Sequence, residues 1–124
     1  MTDYLTVVEV LAIHEDQIER YGGTFGVRDF GLLEAALYRP QTGYYRDLTE
    51  EAAALWESLA QNHPFIDGNK RVAFAVTYTF LAINGIMITA DPDETHALIS
   101  DLYETGTFDF VHLVAWLREN VSAE

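Results

Sequence analysis

Between Val72 and Ile83 the chain is apolar on most sides of a helical projection, through Val72, Ala73, Phe74, Ala75, Val76, Phe80, Leu81 and Ile83. A helix with so little polar surface belongs in the middle of a bundle, where other elements cover it. Thr77, Tyr78, Thr79, Asn84 and Gly85 break the stretch up to Ile88, so it reads as a buried helix followed by a strand or turn rather than a membrane span. Gly85 supplies the stop.

The rest of the chain offers partners for that helix. Val7, Val8, Leu11 and Ile18 fall at helical spacings before a Gly22-Gly23 stop. Asp29 can cap a short helix carrying Leu32, Leu33, Ala36 and Leu37, which Pro40 ends. Thr49 can cap the next, with Glu50 and Glu51 in its first turn and Ala53, Leu55, Trp56, Leu59 and Ala60 along it. Asn62-His63-Pro64 closes that helix, since the residue before a proline resists helical geometry. Ile86 to Ala90 reads as extended. Asp91-Pro92-Asp93-Glu94 has the form of an N-cap, a proline at the first helical position and a capping-box glutamate. Phe108 and Leu113 flank an Asp109 cap at the start of the last helix. The expectation is an all-α, single-domain bundle of about six helices over residues 1–124, with a central apolar helix and a short loop at Pro40 to Asp47.

Charge narrows the function. The chain carries seven Lys plus Arg against twenty Asp plus Glu, for a net charge of −13. That balance argues against direct nucleic-acid binding, which needs a basic face. The absence of cysteine removes disulfides and thiolate metal sites. No basic region followed by an apolar run opens the chain, and the expected location is the cytoplasm.

Against this acidic background, His63-Pro64-Phe65-Ile66-Asp67-Gly68-Asn69-Lys70-Arg71 stands out. Lys70 is the only lysine and lies beside Arg71 at the start of the apolar helix. Backbone amides at a helix start cradle anions, and Gly68 permits a tight turn and close approach. Asp67 can hold Mg²⁺ that bridges to substrate phosphates, and Arg71 can fork onto a further phosphate group. Imidazoles titrate near neutral pH, so His63 suits a general base. Together these groups point to movement of a phosphorus-centred group from a nucleotide to a hydroxyl. The blander readings are a His-Pro turn, an Asp-Gly-Asn loop, and Phe65 and Ile66 as core plugs. His14, His96 and His112 do not form a metal-ligand pattern and read as structural or surface residues.

The segment resembles the signature of the Fic/Doc family, which runs His, any, Phe, any, Asp or Glu, Gly or Ala, Asn, Gly or Lys, Arg. Tyr21-Gly22-Gly23, Arg28-Asp29 and Asn84-Gly85 extend the resemblance over nearly the whole chain, and the Doc branch is the nearer one. The resemblance implies that His63 deprotonates the acceptor hydroxyl and Phe65 anchors the loop. It implies that Asp67 binds Mg²⁺, that Gly68, Asn69 and Lys70 form the phosphate nest, and that Arg71 holds a phosphate. Pro40 to Asp47 takes the place of the family's flap, to which Tyr44 and Tyr45 contribute.

Adenylylating members carry a second glycine where this chain has Lys70, and a second arginine where it has Phe74. Both departures match Doc and imply transfer of the ATP γ-phosphate to a threonine of elongation factor Tu, which stops translation. The inhibitory helix of the family has only a chance match at Ala115 to Asn120. The resemblance therefore implies restraint by a separate antitoxin, a helical segment lying in a groove. Adenylyl transfer and a non-catalytic binding module are the alternatives.

Overall fold

The computed structural model of the chain describes residues 1–123. Six α-helices dominate: α1 (Val7–Tyr21), α2 (Phe30–Tyr38), α3 (Leu48–Asn62), α4 (Asn69–Ile83), α5 (Pro92–Glu104) and α6 (Phe110–Glu119). A 3₁₀ turn, Arg39–Gln41, follows α2. Two three-residue strands, β1 (Ile86–Ile88) and β2 (Val121–Ala123), pair antiparallel with Met87 opposite Ser122. The all-α expectation holds, and the extended segment after α4 finds its partner in the residues that follow α6. Among the described residues, no helix is long and apolar enough to cross a membrane.

Side-chain caps set most of the helix starts. Thr6 and Glu9 form a reciprocal capping box on α1. Asp29, Asp91 and Asp109 each accept an N–H from the third residue onward. On α3 the cap is Asp47, two residues earlier than expected: its carboxylate takes the Glu50 N–H, and Thr49 lies buried inside the first turn. Aspartate wins because an ionised acceptor at a helix N-terminus gains from the macrodipole as well as from the bond. The apolar face of α1 also differs from the expected one. Val8 is exposed, while Val10, His14 and Ile18 face inward.

The core forms around α3 and α4. Ala52, Ala53, Ala54 and Ala60 are fully buried on α3, and these small side chains let neighbouring helices approach closely. Trp56 fills the space beyond them, 5.4 Å from Phe74, 5.9 Å from Phe108 and 5.7 Å from Trp116 between ring centroids. α4 buries Val72, Ala73, Val76, Thr77, Phe80 and Leu81. Its opposite stripe, with Phe74 and Tyr78, lines an open groove between α1 and α5 of about 1300 Å³. The active-site candidate segment, residues 63–71, therefore joins the end of one central helix to the start of the other.

Candidate functional site

His63 is the C-cap of α3 and takes the left-handed conformation, φ 50° and ψ 56°. It is the only non-glycine residue with positive φ among those described. Such geometry costs a residue with a Cβ on the order of 1–2 kcal/mol and turns the chain sharply out of the helix. Its imidazole is exposed and makes no hydrogen bond within the described residues. The Arg28 guanidinium braces the turn, with Nε donating to the His63 carbonyl at 2.7 Å and Nη2 to the Asn62 carbonyl at 2.9 Å.

From Pro64 to Gly68 the chain is pinned from several sides. Pro64 O accepts the N–H groups of Arg28 (2.7 Å) and Asp29 (3.1 Å), and Ile66 N donates to Gly26 O at 3.1 Å. Phe65 is buried and Ile66 exposed, so only the first plugs the core. The buried His14 ring stacks on Phe65 with centroids 4.1 Å apart and planes 6° apart. Its Nε2 donates to the Asp67 carbonyl at 3.1 Å, which makes His14 a structural member of the site. A histidine on α1 can help order the site from the neighbouring helix, and the structure supplies the contact, which joins residues 53 positions apart.

Asp67 points back toward the loop after α1. Oδ1 accepts the Gly68 N–H at 2.8 Å and Oδ2 the Thr24 N–H at 3.2 Å. Each oxygen keeps a further lone-pair direction, and no cationic side chain pairs with this carboxylate among the described residues. No group of three or more His, Asp or Glu residues gathers to hold a metal there or elsewhere among those residues. A lone, unpaired carboxylate fits Mg²⁺ held chiefly by phosphates and water, and does not fit an all-protein metal cage.

Gly68 caps α4 at φ 75°. A Cβ there would meet Ile18 Cδ1 at 3.2 Å, so the residue answers both to backbone geometry and to close packing. The first helical bond of α4 runs from Val72 N to Gly68 O, which leaves the amides of Asn69, Lys70 and Arg71 without helical acceptors. The Asn69 side chain is committed to the Phe65 backbone, which it bonds through both its oxygen and its nitrogen. Lys70 is exposed and places Nζ 4.0 Å from the centre of the Tyr103 ring, across the mouth of the groove. Arg71 is partly committed: Nη1 donates to Gln17 O (3.2 Å) and Gly22 O (3.3 Å), and the guanidinium lies 5.3 Å from the Tyr21 ring.

Tyr44 and Tyr45 behave differently from each other. Tyr44 is exposed, while Tyr45 accepts the Arg39 Nε–H at 2.7 Å and packs 5.5 Å from Phe110. Arg39 in turn donates to Glu57 (2.8 Å) and the Ser58 hydroxyl (2.9 Å). These contacts fasten the loop to the side of α3 and to α6. None of the hydrogen bonds or ring contacts of either tyrosine reaches residues 63–71 among the described residues.

The segment thus carries an exposed imidazole at the end of α3, an exposed carboxylate in the loop and three amides at the N-terminus of α4, with two cations at that helix start. The Fic/DOC family profile matches residues 4–81, which take in α1 to α3, all but the last two residues of α4, and the whole of the 63–71 segment. The Toxin Doc of Mycolicibacterium smegmatis (strain ATCC 700084 / mc(2)155) is 48% identical over 102 residues, covering 78% of this chain and 76% of that protein. The Protein kinase doc of Escherichia phage P1 is 34% identical over 94 residues, covering 73% of this chain and 75% of its own length. On the extent of the family match and on these identities, the chain belongs to the Fic/Doc family.

Proposed function

We propose that this protein is a Doc-type toxin that transfers the γ-phosphate of ATP to a hydroxyl group of a protein. The observation that carries the reading is the short loop that joins His63, exposed and free of hydrogen bonds at the end of α3, to the three acceptor-less amides at the start of α4. The similarity to a protein named as a kinase supports phosphoryl over adenylyl transfer.

In this reading the amides of Asn69, Lys70 and Arg71 bind phosphate oxygens at the positive end of the α4 dipole. Lys70 and the uncommitted part of the Arg71 guanidinium add charge. Asp67 would hold Mg²⁺, which would supply charge neutralisation at the phosphates. An imidazole nitrogen of His63 takes the acceptor's proton as its oxygen bonds to the γ-phosphorus, and the bond to the bridging oxygen breaks to release ADP. General-base assistance of this kind contributes about 10²–10⁴ in rate, the rest coming from positioning and charge stabilisation. By the resemblance of the 63–71 segment, the acceptor is a threonine of elongation factor Tu and the setting is the cytoplasm, where transfer stops translation.

The groove between α1, α4 and α5 suits the helical segment of an antitoxin. Ile13, Phe74, Tyr78 and Ile99 line it, and Lys70 and Arg71 lie at one end. An amphipathic helix recognises such a groove through side chains one turn apart. The chain's own Ala115 to Asn120 segment belongs to α6 and its end, not to the groove lining.

The test is a transfer assay with elongation factor Tu and ATP labelled at the γ or the α position. Label from the γ position alone, abolished by His63→Ala and by Asp67→Ala, is the expected result. Transfer of α-label would make the protein an adenylyltransferase. An undiminished biological effect in His63→Ala would make it a binding module.

A further inference from the structure

The seven cations of the chain divide by what they touch. Arg20, Arg39, Arg46 and Arg118 form ion pairs with carboxylates. Arg28, Lys70 and Arg71 form none among the described residues, although acids outnumber them heavily. Lys70 and Arg71 belong to the phosphate-facing end of α4. Arg28 lies on the other side of the loop and spends its side chain on backbone.

Its contacts converge on one residue and its neighbours. Nε donates to His63 O at 2.7 Å, Nη2 to Asn62 O at 2.9 Å, and the Arg28 N–H to Pro64 O at 2.7 Å. Three successive carbonyls that bracket the imidazole-bearing residue therefore end on a single arginine. Carbonyls at a helix C-terminus lack N–H partners and form the negative end of the helix dipole, so a guanidinium is favoured there twice over. The residue held in place is the one whose conformation needs holding. The left-handed position after a helix usually falls to glycine, which has no imidazole to offer. A histidine persists in that geometry only where its surroundings over-determine it.

We propose that Arg28 is a positioning residue for His63, locking its left-handed backbone so that the imidazole faces the acceptor hydroxyl. The role rests on the phosphotransfer reading of His63. Lysine does not replace it: a single ammonium point charge does not reproduce the planar fork that spans two carbonyls. The loop itself does not depend on this side chain. Asp29 N to Pro64 O, Ile66 N to Gly26 O and the Val27–Phe65 bridge are all made by backbone that Arg28→Ala leaves in place.

The experiment combines steady-state phosphoryl transfer from γ-labelled ATP with NMR of the His63 backbone. The proteins are wild type, His63→Ala, Arg28→Ala, Arg28→Lys and, as an exposed-arginine control, Arg20→Ala. Arg28→Ala is expected to lose about 10–100-fold in kcat with nucleotide KM within about twofold, the pattern of a misplaced reacting group. Arg28→Lys falls between it and wild type, and Arg20→Ala matches wild type. The HN–Hα coupling and Cα shift of His63 leave their left-handed values in Arg28→Ala. Wild-type kcat in Arg28→Ala overturns the proposal. So does a fall in kcat with His63 signals unchanged, which would mean that Arg28 touches substrate. If Arg28→Ala fails to fold, Arg28→Lys decides, and wild-type kcat with wild-type His63 signals there is the refuting result. If wild type transfers no label, the functional reading falls by itself, and unchanged His63 couplings in the Arg28 variants refute the positioning role separately.

Discussion

Asn69 is joined to Phe65 by both arms of its amide: Nδ2 donates to the Phe65 carbonyl at 3.0 Å, and Oδ1 accepts the Phe65 N–H at 2.9 Å. One side chain from the first turn of α4 thereby satisfies the whole backbone unit of the residue that plugs the core. The loop is closed like a clasp, and the amides of α4 are left pointing outward. Asn69→Ala removes both bonds and leaves the Phe65 donor and acceptor unpaired in a part-buried place. The expected loss is about 2–3 kcal/mol in unfolding free energy, read from urea titration, together with a fall in transfer activity. Asn69→Asp keeps the acceptor but sets a carboxylate oxygen against the Phe65 carbonyl, so it is not a conservative change.

His14 holds the same loop from below. His14→Ala removes a buried ring stacked on Phe65 and the donor to Asp67 O, and should destabilise the protein by about 3 kcal/mol. His14→Phe keeps the stack and loses only the donor, for about 1 kcal/mol. Equal losses in the two variants by chemical denaturation would show that the hydrogen bond, not the packing, carries the effect.

Gly23 and Gly22 are neighbours with different jobs. A Cβ at Gly23 would lie 2.8 Å from Asp67 Oδ2 and 3.0 Å from Ile18 Cδ1, whereas one at Gly22 meets nothing within 4 Å. Both have positive φ, so alanine strains the backbone at either. Only Gly23→Ala also pushes on the carboxylate. Mg²⁺-dependent nucleotide binding, followed by calorimetry, should weaken by about tenfold or more in Gly23→Ala and stay within about threefold in Gly22→Ala.

Acid should destabilise the α3 and α6 caps. Hydrogen bonds from the His112 side chain and backbone hold the Asp109 carboxyl below its ordinary range. At Asp47 burial pushes upward, but the Glu50 N–H, Arg118 and Arg46 outweigh it and the net shift is also down. The Arg46 N–H and guanidinium lower Glu50. A native carboxylate that binds its proton less tightly than the unfolded one adds stability above the unfolded value of about 4, and that stability disappears as pH falls through the native values. Thermal melts from pH 6 downward should show stability falling below about pH 4. Asp47→Asn should flatten that slope while lowering stability at neutral pH.

Much of this molecule was legible in its sequence because local rules governed it. The Asp29, Asp91 and Asp109 caps, the Gly22 and Gly85 stops and the helix starting at Asn69 all follow from interactions within a few residues. The α3 cap moved from Thr49 to Asp47 because two good acceptors competed within one turn, and composition does not settle such a contest. β1 found a partner in β2, since strand pairing joins segments whose separation along the chain conceals their contact.

The 63–71 segment announced itself by residue type and order, and its seat between two apolar helices followed from periodicity. What packing alone decided is the wiring around it: His14 under Phe65, Arg28 across Asn62 and His63, Thr24 on Asp67, and Tyr45 drawn toward Arg39 and Phe110. Each of those links depends on where a helix or loop lies in space. Chain order specifies which groups exist and how each turn begins and ends, but only the closed core brings distant backbone carbonyls within reach of the side chains that hold them.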